Sequence, residues 1–381
     1  MARLHAPEAQ SVTFVELFFD LVFVFAVTQV TVLTVEHLDA GGVARSAVIF
    51  WLIWWAWTQF TWTLSPADTG HAAVRALTLG ATAAAFVMAA SIPGAYGDQP
   101  LWFAVPYVLI RLIGLGLQVR VDQERAGDVG ISMAWVYVSL AGLAVVLAGS
   151  VVDDRTRVWV WLVAILVDLG AASSAGDSVW DLDTSHFSER HGLFVIIALG
   201  ESLIVTGTSV AADDRTADLV LVAGAILAVA CLLWWTYFGR LKEQMEEAFA
   251  EVPAERVGPT ARDAYSLGHF PLICGIIAFA VAAEEIVHHP DEAAGSSVIA
   301  ALAVGVALFV GASAFAGWRT TGAVLVPRLA LTALAIGGVV AVGDAHPFWP
   351  LAVVAVGLFA VVVIEERSSV EPAPEATTSF T

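Results

Sequence analysis

SHFSERHGLFVIIALGESLIVTG, residues 185–207, is the stretch whose reading decides the fold. It opens with a knot of polar groups, His186, Glu189, Arg190 and His191. An apolar or small run, Gly192 to Gly200, leads to a lone carboxylate, Glu201, and continues to Thr206. Flanks this long predict a membrane-spanning helix, which needs about 20 apolar residues. A carboxylate inside such a helix costs about 2.5–3.5 kcal/mol on insertion scales, so it faces a protein interior or a wet cavity. That cost makes Glu201 the first functional-site candidate.

The composition extends this reading to the whole chain. Hydrophobic residues make up 59% and charged residues 14%, with a mean hydropathy of +0.80. A soluble protein carries about 25% charged residues, so the surplus apolar surface has only lipid to be buried in. The opening residues hold Arg3, His5, Pro7 and Glu8, and no small-residue cleavage site follows the first span. That span is therefore expected to stay in the chain. The net charge of -19 would suit a cationic partner, but most of it is expected in solvated segments. These are Asp153–Asp154, Asp213–Asp214, Asp291–Glu292 and Glu243 to Glu255. Nothing resembles a basic patch for nucleic acid. Cys231 and Cys274 both lie in apolar spans and read as small core residues.

About twelve apolar spans, broken at Gly, Pro and charge, lie near 14–37, 43–64, 71–92, 101–121, 130–150, 156–173, 186–208, 217–239, 264–287, 296–317, 322–343 and 348–365. In lipid these must be helices, because the alternation of a barrel is absent. The expected fold is all-α, a polytopic bundle of two six-helix halves, 14–173 and 174–367. A cytoplasmic segment 1–13 precedes them and a disordered tail 368–381 follows. The halves read as a parallel repeat: FVELFF at 14–19 answers FSERHG at 187–192, pairing Glu16 with Glu189. Trp54–Trp55 answers Trp234–Trp235, and the sixth and last spans open around Trp159 and Trp349.

Lys and Arg set the orientation. With the N-terminus inside, most fall on the cytoplasmic side, among them Arg75, Arg120, Arg190, Arg240, Lys242, Arg256, Arg262, Arg319, Arg328 and Arg367. Arg45, Arg155, Arg157 and Arg215 fall outside, and Arg111 within the fourth span. Both termini are thus expected in the cytoplasm, with the chain in the cell membrane.

Two motifs together resemble one family. VELFFDLVFVF at 15–25 resembles the opening signature of the low temperature requirement A (LtrA) family, and HFSERHGLFVIIALGES at 186–202 its second. The Trp-rich second span and WWTYF at 234–238 are also similar. The resemblance implies a multi-pass bacterial-type membrane protein and brings no reaction with it.

Glu16 and Asp20 stand four residues apart, on one face of the first helix. Glu189, Arg190, His191 and His269 come to similar depth, with His71 and Arg75 near. These groups read either as an ion-pair network clamping helices, with Arg75 or Arg190 neutralising the acids, or as a gate or proton relay. Glu201 and Arg111 lie at comparable depth and are expected to pair, with Tyr107 one turn from Arg111; Glu201 reads equally as a protonatable coupling acid. Asp168 is a third intramembrane acid with no evident partner. Trp51, Trp54, Trp55, Trp57 and Trp62 read mainly as anchoring and packing, or as rings for a cationic or planar ligand. Glu284–Glu285 with His288–His289 reads as a solvated helix end, and no metal or cofactor is expected.

There is no zinc-protease His-Glu-x-x-His, no nucleophile elbow and no Walker A loop. The leading expectation is a secondary transporter or ion-coupled permease. Its candidate coupling residues are Glu16, Asp20, Arg111, Asp168, Glu189, Arg190, His191 and Glu201. Its partners are the bilayer and a small solute or proton. The alternatives are an intramembrane lipid-modifying enzyme using Glu189 or His191, and a non-catalytic stress-response membrane component.

Overall fold

A computed structural model describes residues 4–5, 11–126, 133–174, 182–212 and 215–368. The expected disordered tail beyond 368, Arg3 and Asp213–Asp214 lie outside the described residues.

Apolar sequence in lipid satisfies its backbone internally, and the described chain is helical, with no strand beyond a lone bridge between His5 and Ala67. The order is α1 (Phe14–Glu36), α2 (Ala40–Leu64), α3 (Ala72–Ala90), α4 (Pro100–Ala126), α5 (Met133–Gly149), α6 (Asp154–Ser174), α7 (Thr184–Ala212), α8 (Ala217–Phe238), α9 (Leu241–Ala250) and α10 (Ala254–Thr260). A π-helical turn, Ala261–Leu267, follows. The last four are α11 (His269–His288), α12 (Ser296–Thr321), α13 (Val326–Ala341) and α14 (Phe348–Ser368). Local chemistry sets the ends. Asp39 accepts from the Gly41 and Gly42 amides (2.7 and 2.9 Å) to start α2, and Gly322, at φ 77°, ends α12.

A helix occupies each stretch expected to span, and nine segments among the described residues are long and apolar enough to cross a membrane. Of the rest, α5 and α13 are apolar but have 17 and 16 residues. The 25-residue α2 is long enough, but its tryptophans, threonines and Gln59 lower its hydropathy. Large apolar side chains such as Phe86, Trp102, Leu166, Leu334 and Val356 point outward, as a lipid-facing surface requires.

The acidic segment from Glu243 exposes most of its glutamates as expected, but it is helical rather than a loop and buries one apolar face. Leu241, Met245 and Phe249, four residues apart along α9, are buried against Phe187 and Tyr265. Pro259 within α10 removes a backbone donor, and the π-helical turn follows two residues later. Cys231 also differs from expectation, facing outward on α8 while Cys274 is half-buried.

Helix α1 packs on α2 and α3, α3 on α4, and α5 on α6. Likewise α7 packs on α8 and α11, α11 on α12, and α13 on α14. The two groups meet where α1 and α2 touch α7 and α11. The α11–α12 crossing is so close that a Cβ added at Gly275 would lie 2.6 Å from the Phe309 amide nitrogen and 2.7 Å from the Gly305 carbonyl oxygen. Trp54 and Trp234–Trp235 do not play matching parts, since Trp54 is buried and the later pair faces outward.

Candidate functional site

At the junction of the two helix groups, the first two turns of α1 face the polar start of α7. Glu16, Asp20, His186, Arg190 and His191 are all buried there. Glu16 turns back on its own helix start, Oε2 accepting from the Thr13 amide (3.0 Å) and hydroxyl (2.8 Å). Its other oxygen lies 3.0 Å from His186 Nε2 and 3.7 Å from Arg190 Nη1. Asp20 Oδ1 accepts from Arg190 Nη2 (2.5 Å) and from the Trp57 indole of α2 (2.7 Å). The Arg190 guanidinium sits 5.7 Å from the centre of the Trp57 ring.

His191, one residue on, is enclosed by rings, with centroids of Phe187, Trp57, His269 and Tyr265 at 4.7, 5.0, 5.2 and 5.3 Å. Its Nδ1 donates to the Phe187 carbonyl (2.9 Å), so a neutral ring leaves Nε2 as an acceptor, and that atom has no partner. The π-helical turn shapes the far wall. His269 Nδ1 donates to the Ala264 carbonyl five residues earlier (3.0 Å), and its Nε2 accepts from the Tyr237 hydroxyl (2.7 Å). Trp54 donates to the Ser266 carbonyl (2.6 Å) and Trp62 to the Ser266 hydroxyl (2.9 Å). Single π-helical turns recur at functional sites.

Satisfaction separates this cluster from the structural arginines. Buried Arg328 gives every nitrogen a partner: Glu365 twice (2.7 and 2.8 Å), Ser313 (3.0 Å) and the Thr236 carbonyl (2.6 Å). Buried Arg157 is likewise closed by Asp154 and the carbonyls of Ala95, Gly149 and Val152. Arg190 leaves Nε and Nη1 without a hydrogen bond, and Asp20 Oδ2 and His186 Nδ1 also lack one, while His186 Nε2 meets only Glu16. Unmet buried polar groups are costly, and native proteins keep them where a role or a bound species requires them.

A second polar centre lies on the opposite face of α2. Arg111 of α4 donates to Asp168 of α6 through Nη1 (3.2 Å) and Nη2 (3.1 Å), and to the Tyr107 hydroxyl (2.8 Å). This corrects two expectations: Arg111 does not pair with Glu201, and Asp168 has a partner. The pair borders a cavity of about 80 Å³ walled by Trp55, Thr58, Gln59, Trp62, Gln118, Trp135 and Ser139, with Arg262 and Ser266 from the turn before α11. Trp54 and Trp57 thus face the charged cluster while Trp55, Gln59 and Trp62 face the cavity, and Ser266 touches both.

Glu201 stands apart from both centres. Its Oε2 accepts from the Thr28 hydroxyl of α1 (2.6 Å), a third polar link between α1 and α7. The other expected members scatter. Glu189 is half-buried and faces the chain before α1, accepting at 3.4 Å from the Val12 amide. His71 caps α3, and Arg75 is exposed, so Arg190 neutralises the acids. Among the described residues no three His, Cys, Asp or Glu side chains gather as a metal site.

Comparison with known proteins bears on this chain as a whole. An uncharacterized protein of Rhizobium meliloti (strain 1021) is 28% identical over 303 residues, 76% of this chain and 73% of its own length. No solved structure matches. The family described as bacterial low temperature requirement A protein (LtrA) matches residues 11–363, a span that holds both signatures, the charged cluster and the cavity, so the chain belongs to that family.

Proposed function

We propose that this protein is a secondary transporter that couples the movement of a small solute to an ion, most simply a proton. Twelve crossings form two six-helix halves in parallel orientation, with both termini in the cytoplasm of a cell bounded by this membrane. The matching neighbour pattern supports the halves: α1 with α2 and α3 parallels α7 with α8 and α11, and α3 with α4 parallels α11 with α12. In such repeats the binding and coupling groups lie where the halves meet.

The observation that carries the reading is the cluster of Glu16, Asp20, His186, Arg190 and His191, buried between α1 and α7 with polar atoms left unpaired. A structural clamp would close its bonds, as Arg328 does. A coupling site must exchange partners as protons and conformations change. Protonation of Asp20 would weaken its hold on Arg190 and on the Trp57 indole, freeing α2 to shift against α7. Because α2 also walls the cavity, occupancy there and protonation at Asp20 share one mobile element. Arg111–Asp168 would then position the solute, and Glu201 with Thr28 would form the gate on the other side of the cluster. Of the two residues the enzyme reading used, Glu189 stands outside the cluster and His191 within it.

The test is to reconstitute the protein and apply pools of solutes on a solid-supported membrane under an imposed pH gradient. The wild type should give transient solute-dependent currents that Glu201→Gln abolishes without loss of folded protein. Currents from no pool, or unchanged currents from the variant, overturn the proposal.

A further inference from the structure

We infer that the cavity beside Arg111 is a binding site for a small, electrically neutral, planar solute carrying a hydrogen-bond donor next to an acceptor, as a carboxamide or a neutral heterocycle does. The inference rests on the transport reading for the passage of that solute, while occupancy of the cavity can be measured without it.

Hydrogen bonding, charge and shape point the same way. Gln59 lines the cavity, is more than nine-tenths buried, and has no partner on either Oε1 or Nε2. A primary amide presents a donor and an acceptor side by side, so its complement is a group with the same pair. The buried charges around the cavity are already closed. Both Asp168 oxygens are held by Arg111 at 3.1 and 3.2 Å, and Arg262 at the rim is 2.8 Å from Asp263. A cation entering would meet no unpaired carboxylate among the described lining residues, and the buried guanidinium, Arg111, is already engaged by Asp168. Arg111 Nε remains as a buried extra donor, and the Nη groups of the partly exposed Arg262 lie at the rim. The indoles of Trp55, Trp62 and Trp135 supply flat apolar faces, which favour a ring or another planar group. The space, about 80 Å³, would hold roughly five to eight waters or one small ring.

Three probes that share one ring separate the alternatives: benzamide (neutral), benzoate (anionic) and benzyltrimethylammonium (cationic). Binding is measured by calorimetry on the full-length protein in detergent. Benzamide should bind saturably, with benzoate and benzyltrimethylammonium at least about tenfold weaker. Gln59→Leu, which keeps the volume and removes both hydrogen-bonding groups, should weaken benzamide by about tenfold or more. Trp135→Ala at a half-buried position should weaken it as well, and with the wild-type ranking it carries the test if Gln59→Leu does not fold. No benzamide binding to the wild type, equal binding by a folded Gln59→Leu, or a preference for the cation would overturn the inference. Benzamide binding without coupled currents keeps the site and removes the transport reading; coupled currents without benzamide binding do the reverse.

Discussion

Arg190 faces two buried acids, Glu16 and Asp20, and its removal tests the charged cluster most sharply. Its Nη2 lies 2.5 Å from Asp20 and its Nη1 3.7 Å from Glu16, and all three side chains are fully buried. Water and salt therefore screen these contacts little. In Arg190→Gln both acids face a low-dielectric interior with only His186 near, and breaking a buried pair in this way costs about 3–5 kcal/mol. For a chain of 381 residues, at roughly 1.3 °C per kcal/mol, the melting temperature should fall by about 4–6 °C. A triple variant, Glu16→Gln with Asp20→Asn and Arg190→Gln, removes the charge imbalance and should recover most of that loss. The assay is thermal unfolding of detergent-purified protein followed by tryptophan emission. An Arg190→Gln protein that melts within a degree of wild type, or a triple variant less stable than the single one, would refute the reasoning.

Further outcomes follow from local geometry. Gly275→Ala places a methyl group against the α12 backbone, and overpacking of this kind costs about 1–3 kcal/mol, read as a lower melting temperature. Hydrogen bonds donated by the Gly42 and Gly41 amides hold the Asp39 carboxyl below the usual carboxylate range. Its folded-state value is thus depressed, and its stabilisation of the α2 start is present above the unfolded pKa and lost as pH falls through the folded value. Hydrogen exchange at 41–44 should accelerate at low pH in the wild type, corrected for intrinsic rates, and be fast at both pH values in Asp39→Ala.

Much of this architecture is legible in the sequence because lipid leaves the backbone few choices. An apolar run of this length has to be helical, and Glu16, Asp20, His186, Arg190 and His191 are conspicuous because polar groups there are expensive. What the sequence does not carry is the rotation of each helix about its axis. Arg111 and Glu201 lie at similar depth, yet Arg111 faces α6 and Asp168 while Glu201 faces Thr28 on α1. The dual role of α2 is half legible: helical spacing puts Trp54 with Trp57 on one face and Trp55, Gln59 and Trp62 on another, and only the packing shows which face meets the charged cluster and which the cavity. Other features left readable traces. The four-residue spacing of Leu241, Met245 and Phe249 marks the buried face of α9, and Pro259 marks the break before the π-helical turn. The unpaired amide of Gln59 leaves no trace, since a glutamine in an apolar span gives no sign of whether its bonds are met.

Proton flux in proteoliposomes measures most directly the coupling of proton movement to solute movement through Asp20. An entrapped pH dye is read while a solute identified by current is added outside. In the wild type, inward proton flux should track solute entry, and a folded Asp20→Asn variant should bind solute without proton flux. Solute uptake by the wild type with no accompanying pH change, or full proton flux in Asp20→Asn, would contradict that coupling.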